Sequence, residues 1–261
     1  MRKQLLVFLK NKPNATIEVF TNGIILYKGK DLIQINGDDG TEWSEVRLIE
    51  YLKRQSYRDD INEFDKEKNK VEKYKVILLV PRSKFKRFKF KFQQRIRNLV
   101  LSDDDDTSIQ INKKESPSKK MKRTAGTAAN MAGFNKLLKK DKNLPMAIIN
   151  LLKYRDIALY PEGYNGKPIS GKKAYYIYGR YAIKYNAKLG NRPIFSCIPK
   201  STLFNNSEED PDWDSMVILN YVSVSSFFEY ASTKTVIKKG VIHREAGVEK
   251  TNVYTSFPYE N

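Results

Sequence analysis

The apolar positions of this chain fall into a pattern that occurs twice. Trp43-Ser-Glu-Val-Arg-Leu-Ile-Glu-Tyr51 and Trp213-Asp-Ser-Met-Val-Ile-Leu-Asn-Tyr221 each open on Trp, close on Tyr and carry aliphatic residues between. Later in each half a Val-Glu-Lys run leads to a proline, from Val71 to Pro81 and again from Val248 to Pro258. Two matches in the same order point to a duplicated unit.

In the first half, residues 1–20 read as a helix, with Leu5, Leu6, Phe8 and Leu9 as apolar positions before Pro13 intervenes. Gly23 to Lys28 and Trp43 to Leu52 read as strands joined across the turn chemistry of Asn36 to Gly40. A polar helix over about 54–70 follows, then a strand from Tyr74 to Val80 stopped by Pro81. The second half opens on a strand, Leu144 to Tyr154. Ser170 is the N-cap of a helix that carries Tyr175, Tyr178, Tyr181, Ala182 and Tyr185 at helical spacing, and Gly190 can end it. Ile194 to Ile198, the Trp213 strand, a helix over about 224–238 and a strand at 250–257 complete the half.

That order is βαββαβ, the ferredoxin-like plan. The expected fold class is therefore α+β: two ferredoxin-like units in one chain, forming a pseudo-dimeric α/β barrel. Aligning the halves places Met1 inside the first helix, so the first unit is expected to lack its opening strand. Such a gap would leave a sheet edge open to another segment or chain.

Between the repeats the composition changes. Basic residues crowd the stretch from Arg82 to Arg97, interleaved with Phe85, Phe88, Phe90 and Phe92. Helical spacing puts Phe85, Phe88, Phe92, Ile96 and Leu99 on one face and leaves Phe90 off it. Asp103 to Asp106 and the run Lys113 to Arg123 read as a solvated linker. Thr124 to Lys140 reads as a helix. Three regions result: a degenerate repeat over 1–81, a basic helix and charged linker over 82–142, and a complete unit over 143–261.

Composition narrows the class. With 261 residues, 40% of them hydrophobic, and 16 Tyr and 13 Phe, the chain can build a packed core. A single cysteine, Cys197, excludes an internal disulfide framework and favours a cytoplasmic setting. The apolar run of Leu5 to Leu9 is short, is interrupted by Lys10, and precedes no small-residue cleavage site, so it does not read as a secretion signal. No apolar stretch approaches the roughly 18 residues of a membrane span. The net charge of +18 favours polyanions in general, although the lysines are spread along the whole chain.

The second half also resembles a known family. Asn150-Leu-Leu-Lys-Tyr154, Ser170-Gly-Lys-Lys-Ala-Tyr-Tyr-Ile-Tyr-Gly179, Trp213-Asp214 and His243-Arg244, in this order across 143–258, are similar to the domain of unknown function 1330 family of the dimeric α/β-barrel superfamily. The resemblance implies two ferredoxin-like units facing sheet to sheet, here supplied by one chain. The family has no settled reaction, and its superfamily relatives include oxidoreductases and isomerases. No cofactor follows from it.

A pocket between sheet and helices is expected in the second half, for a small-molecule ligand. His243, the only histidine, is the candidate for proton transfer, since an unperturbed imidazole titrates near neutrality. Asn150, Tyr175, Tyr178, Arg180 and Arg244 are candidate ligand-binding residues. Trp43, Tyr51, Trp213, Asp214 and Tyr221 read as structural, because the Trp and Tyr recur in both halves. One His and one Cys do not make a conventional metal site. Two rival readings stand beside this one. The first is a nucleic acid or anionic-surface binder acting through residues 82–123. The second is a purely structural protein that binds a partner chain at the incomplete first sheet. On any of these readings the chain is expected to be a monomeric pseudo-dimer or a homo-oligomer.

Overall fold

The computed structural model describes residues 3–12, 18–37, 41–81, 127–207 and 212–259. The expectations attached to Arg82 through Arg123 lie outside the described residues.

Eight strands close one antiparallel barrel: β1 (Lys3–Asn11), β2 (Ile24–Asn36), β3 (Glu45–Tyr51), β4 (Val71–Pro81), β5 (Met146–Tyr154), β6 (Arg192–Asn205), β7 (Ser215–Tyr221) and β8 (Val248–Pro258). The order around it is β1-β3-β2-β8-β5-β7-β6-β4, returning to β1. The first half of the chain supplies the arc β4-β1-β3-β2, and the second half supplies β8-β5-β7-β6. Outside the barrel lie α1 (Arg54–Glu67), α2 (Met131–Leu138), α3 (Gly171–Lys188), α4 (Val224–Ala231) and α5 (Val241–Gly247), the last continuing a π-helical turn at Val236–Gly240. Among the described residues no helix is long and apolar enough to cross a membrane.

This corrects the expected architecture. In place of two ferredoxin-like βαββαβ units forming a pseudo-dimeric α/β barrel, the strands form a single closed eight-stranded antiparallel barrel. The first half runs β-β-β-α-β, so its opening strand is present and residues 3–11 are not helical. The physical reason lies in their burial. Leu5, Leu6, Val7, Phe8 and Leu9 are all 0–1% exposed. A helix on the surface of a sheet buries one stripe, whereas a strand with a packed interior on one side and a helix on the other buries every residue. Closure also removes the open sheet edge expected of the first unit, because β4 pairs with β6 and β2 pairs with β8.

Period-two alternation sorts the strand residues between two layers. Leu6 and Phe8 of β1, Val46 and Leu48 of β3, Ile149 and Leu151 of β5, and Met216 and Ile218 of β7 pack inside the barrel, with Cys197 of β6. Trp43 and Trp213 join them, each standing just ahead of its strand, β3 and β7. The recurrent Trp…Tyr pattern thus marks the same position in the two arcs. Asp214 makes the second of these positions firm: its carboxylate accepts from the Tyr154 amide at 2.8 Å, and its own amide donates to the Leu152 carbonyl at 2.9 Å.

The outer layer of the first arc is filled by α1. Leu5, Val7, Ile49 and Val76 meet Phe64, which is 0% exposed and makes ring contacts with Phe20, Tyr74 and Phe204. Tyr51 pins the same helix, donating to the buried Asp60 carboxylate at 2.7 Å. Truncating Phe64 removes the side chain at the centre of this layer. Phe64→Ala is expected to cost about 3–5 kcal/mol of stability, read from the shift in a urea denaturation midpoint.

Candidate functional site

The outer layer of the second arc is built differently. On β5, Ile148, Asn150, Leu152 and Tyr154 alternate with the inward Ile149 and Leu151, so the Asn lies on the helix-covered side of the sheet. Over it run α3, α4 and α5. Ser170 caps α3 by accepting from the Lys173 amide, and Gly190, with φ of 77°, turns the chain after its last turn. The start of α3 touches the end of α5 at two glycines. A Cβ on Gly171 would stand 2.3 Å from the Gly247 carbonyl oxygen, so no larger residue fits that crossing.

Away from this crossing the helices diverge from the sheet and leave a cavity of about 350 Å³. Its walls are mostly apolar, with Ile148, Val217, Leu219, Phe227, Val236 and Val253 among them. Ile35 and Asn36 of β2 bring the first half of the chain into the wall, and Tyr176, 48% exposed, lines it as well.

Polar side chains interrupt these walls, with Asn36, Asn186, Ser196 and Ser215 among them beside the groups that follow. Asn150 projects from the middle of β5. Tyr178 of α3 and Tyr230 of α4 share a hydroxyl–hydroxyl hydrogen bond of 2.8 Å. Tyr175 leans on Tyr154 and Tyr178, with ring centroids 5.4 and 5.5 Å away. Arg244 of α5 donates from Nη1 to Oε1 of Glu245 at 2.5 Å, and Oε2 of Glu245 accepts from the Thr127 hydroxyl at 3.2 Å.

Burial sets the electrostatics here. It raises the pKa of Tyr175, Tyr221 and Tyr230, and neighbouring phenols add to the effect, above all Tyr154 at Tyr175 and Tyr178 at Tyr230 and Tyr221. These hydroxyls stay protonated at physiological pH and act as hydrogen-bond groups. Burial opposes the Arg244 charge as well. The Glu245 carboxylate outweighs that cost, helped by Tyr178 and Tyr175, and the guanidinium is held protonated.

Asn150, Tyr175, Tyr178 and Arg244 therefore line one cavity, and Tyr221, read from sequence as structural, lines it too. Arg180 and His243 lie outside its wall. His243 is 6% exposed and faces the loop ahead of α3, where its Nδ1 is 2.7 Å from the Tyr160 hydroxyl and Tyr160 stacks on Tyr164. Sequence reasoning did not single out Tyr230, Glu245 or Thr127. The adjacency of Glu245 to Arg244 was a legible hint of an ion pair; Tyr230 and Thr127 acquire their roles only from partners distant in the chain.

Burial, and then the charge of Arg180, push the His243 pKa down from 6.5 to about 4. The unfolded chain thus binds a proton between these values that the folded protein refuses. Stability contributed by the neutral imidazole is complete above about pH 6.5 and is lost as pH falls toward 4. His243→Phe is expected to flatten the stability–pH curve in that window by on the order of 1–3 kcal/mol, measured by urea denaturation across pH.

No protein-family model matches the chain, and no curated protein matches it. The resemblance drawn for residues 143–258 accordingly rests on the motifs themselves. Among solved structures, the methylated RPA0582 protein aligns over 53% of this chain and 98% of its own, at 26% identity and a TM-score of 0.45. A further crystal structure, of the RPA0582 protein of unknown function from Rhodopseudomonas palustris, aligns over 52% of this chain and 98% of its own, at 26% identity and a TM-score of 0.44. An anthrone oxidase-like protein aligns over 99% of this chain and 91% of its own, at 10% identity and a TM-score of 0.42. At these scores the likenesses carry no argument about what the chain does.

Proposed function

We propose that the protein binds a small, largely apolar molecule in the cavity beneath α3, α4 and α5. The observation that carries this reading is the contrast between the two arcs: α1 fills its side of the barrel with Phe64, whereas the helices of the second arc stand off from β5 and β7 around about 350 Å³ of space. A volume of that order lies within the ~300–1,000 Å³ of small-molecule sites, which combine apolar walls with a few placed polar groups. Asn150, the Tyr178–Tyr230 pair and Arg244 are such groups. Empty apolar space of this size would forfeit the contacts of its lining, and an occupant restores them.

The polar groups support binding and orientation in the first place. The Tyr175 and Tyr230 phenols are protonated at neutral pH, and Glu245 is engaged on both oxygens. They can align and polarise an occupant without exchanging protons with it.

Gly179 gives a direct test. It lines the cavity from α3, and nothing stands within 4 Å of the position a Cβ would take. Gly179→Leu is expected to occlude the space while adding about 0.8 kcal/mol of helix propensity. Native mass spectrometry of the purified protein should show a bound small molecule in the unmodified chain and none in the variant, with the variant retaining the same far-UV circular dichroism spectrum. Retention of the same molecule by the leucine variant would move the site elsewhere.

A further inference from the structure

One polar group in the cavity wall, Arg244, is a donor without acceptor capacity. A guanidinium presents five N–H donors and no acceptor. Among the described residues, Glu245 is the side chain Arg244 meets at hydrogen-bond distance, through Nη1 alone. Glu245 is in turn occupied on both oxygens, by Arg244 and by Thr127. The charge of Arg244 is therefore cancelled where it stands, while other donors of the same group remain for an occupant. The Tyr178–Tyr230 pair can donate as well. Two hydroxyls carry two protons, and the bond between them uses one, leaving a second to be donated. Asn150 adds an amide that can donate or accept, partly accessible in the middle of an otherwise buried strand.

We infer that the occupant is an apolar molecule carrying a neutral carbonyl group, whose oxygen accepts from the Arg244 guanidinium and from the tyrosine pair. This rests on the cavity being a binding site. The choice of a neutral head over an anion follows from the pairing of Arg244. Bringing a carboxylate or phosphate to a guanidinium already neutralised by Glu245 would bury a charge without compensation, and that cost is large in an apolar cavity. A carbonyl oxygen takes up the same donors and buries no charge.

Three probes of nearly one shape separate the alternatives: naphthyl methyl ketone, the naphthoate anion and ethylnaphthalene. Each is titrated into the full-length protein at neutral pH by isothermal calorimetry. The ketone is expected to bind at least about tenfold tighter than ethylnaphthalene, the worth of one hydrogen bond from a charged donor, and tighter than naphthoate. Glu245→Gln removes the compensating carboxylate and is expected to reverse the order of ketone and naphthoate. Equal binding of ketone and ethylnaphthalene would overturn the carbonyl assignment and leave the binding site standing. Naphthoate ahead of the ketone in the unmodified protein would overturn it in favour of an anion. If none of the three binds, the binding-site reading fails and the assignment fails with it. Because the first comparison uses the unmodified chain, a poorly folding Glu245→Gln variant does not blunt the test.

Discussion

A sheet whose outermost strands are free must protect their backbone donors and acceptors some other way, and this chain removes the difficulty by joining two arcs end to end. The join is made twice, by β2 against β8 and by β4 against β6. Each seam contains register shifts, near Ile33 and Asn36 in the first and near Ile77 and Leu79 in the second. Irregular pairing of this kind bends and twists a ladder, which lets a sheet turn a corner toward closure. The outer features take their positions from these seams. At the first, Asn36 of β2 sits beside Val253 of β8, and so residues far apart in the sequence share one wall of the cavity.

Much of the local structure could be read from the sequence. The apolar run from Met146 to Tyr154, the Ser170 cap and the tyrosines of α3 carry their own signals, because they are local properties of the chain. Residues 3–11 did not, for a physical reason. Leu5, Leu6, Phe8 and Leu9 satisfy helical spacing as well as they satisfy a strand buried on both faces, and periodicity cannot separate the two. The closure of the barrel was illegible as well. Pairing of β2 with β8 is a choice of partner made across the length of the chain, and nothing in Ile33 or Thr255 alone announces it.

The candidate site follows the same division. Asn150 on a buried strand and the tyrosine row on α3 stood out by pattern, and Asn150, Tyr175 and Tyr178 meet the cavity. His243 drew attention through its intrinsic pKa, which is a property of a solvated imidazole. On α5 it is packed against Tyr160 near Arg180, and that setting alters the very property that recommended it. Glu245 shows the converse. Beyond its adjacency to Arg244 it carried little signal, yet it holds that guanidinium in the wall of the cavity.

The segment Thr127–Asn130 crosses from one arc to the other. Its backbone is tied to β2 through Asn36 and Gly37, and its threonine hydroxyl reaches Glu245 on α5. On the proposed reading, an occupant that braced Arg244 and Glu245 would also brace the clasp running back to β2. By mass action, any molecule favoured by the assembled pocket over the parted one tightens the union of the halves in proportion to its affinity. Under that proposal the cavity is a keystone position, and an occupant there would bear on the whole ring of strands.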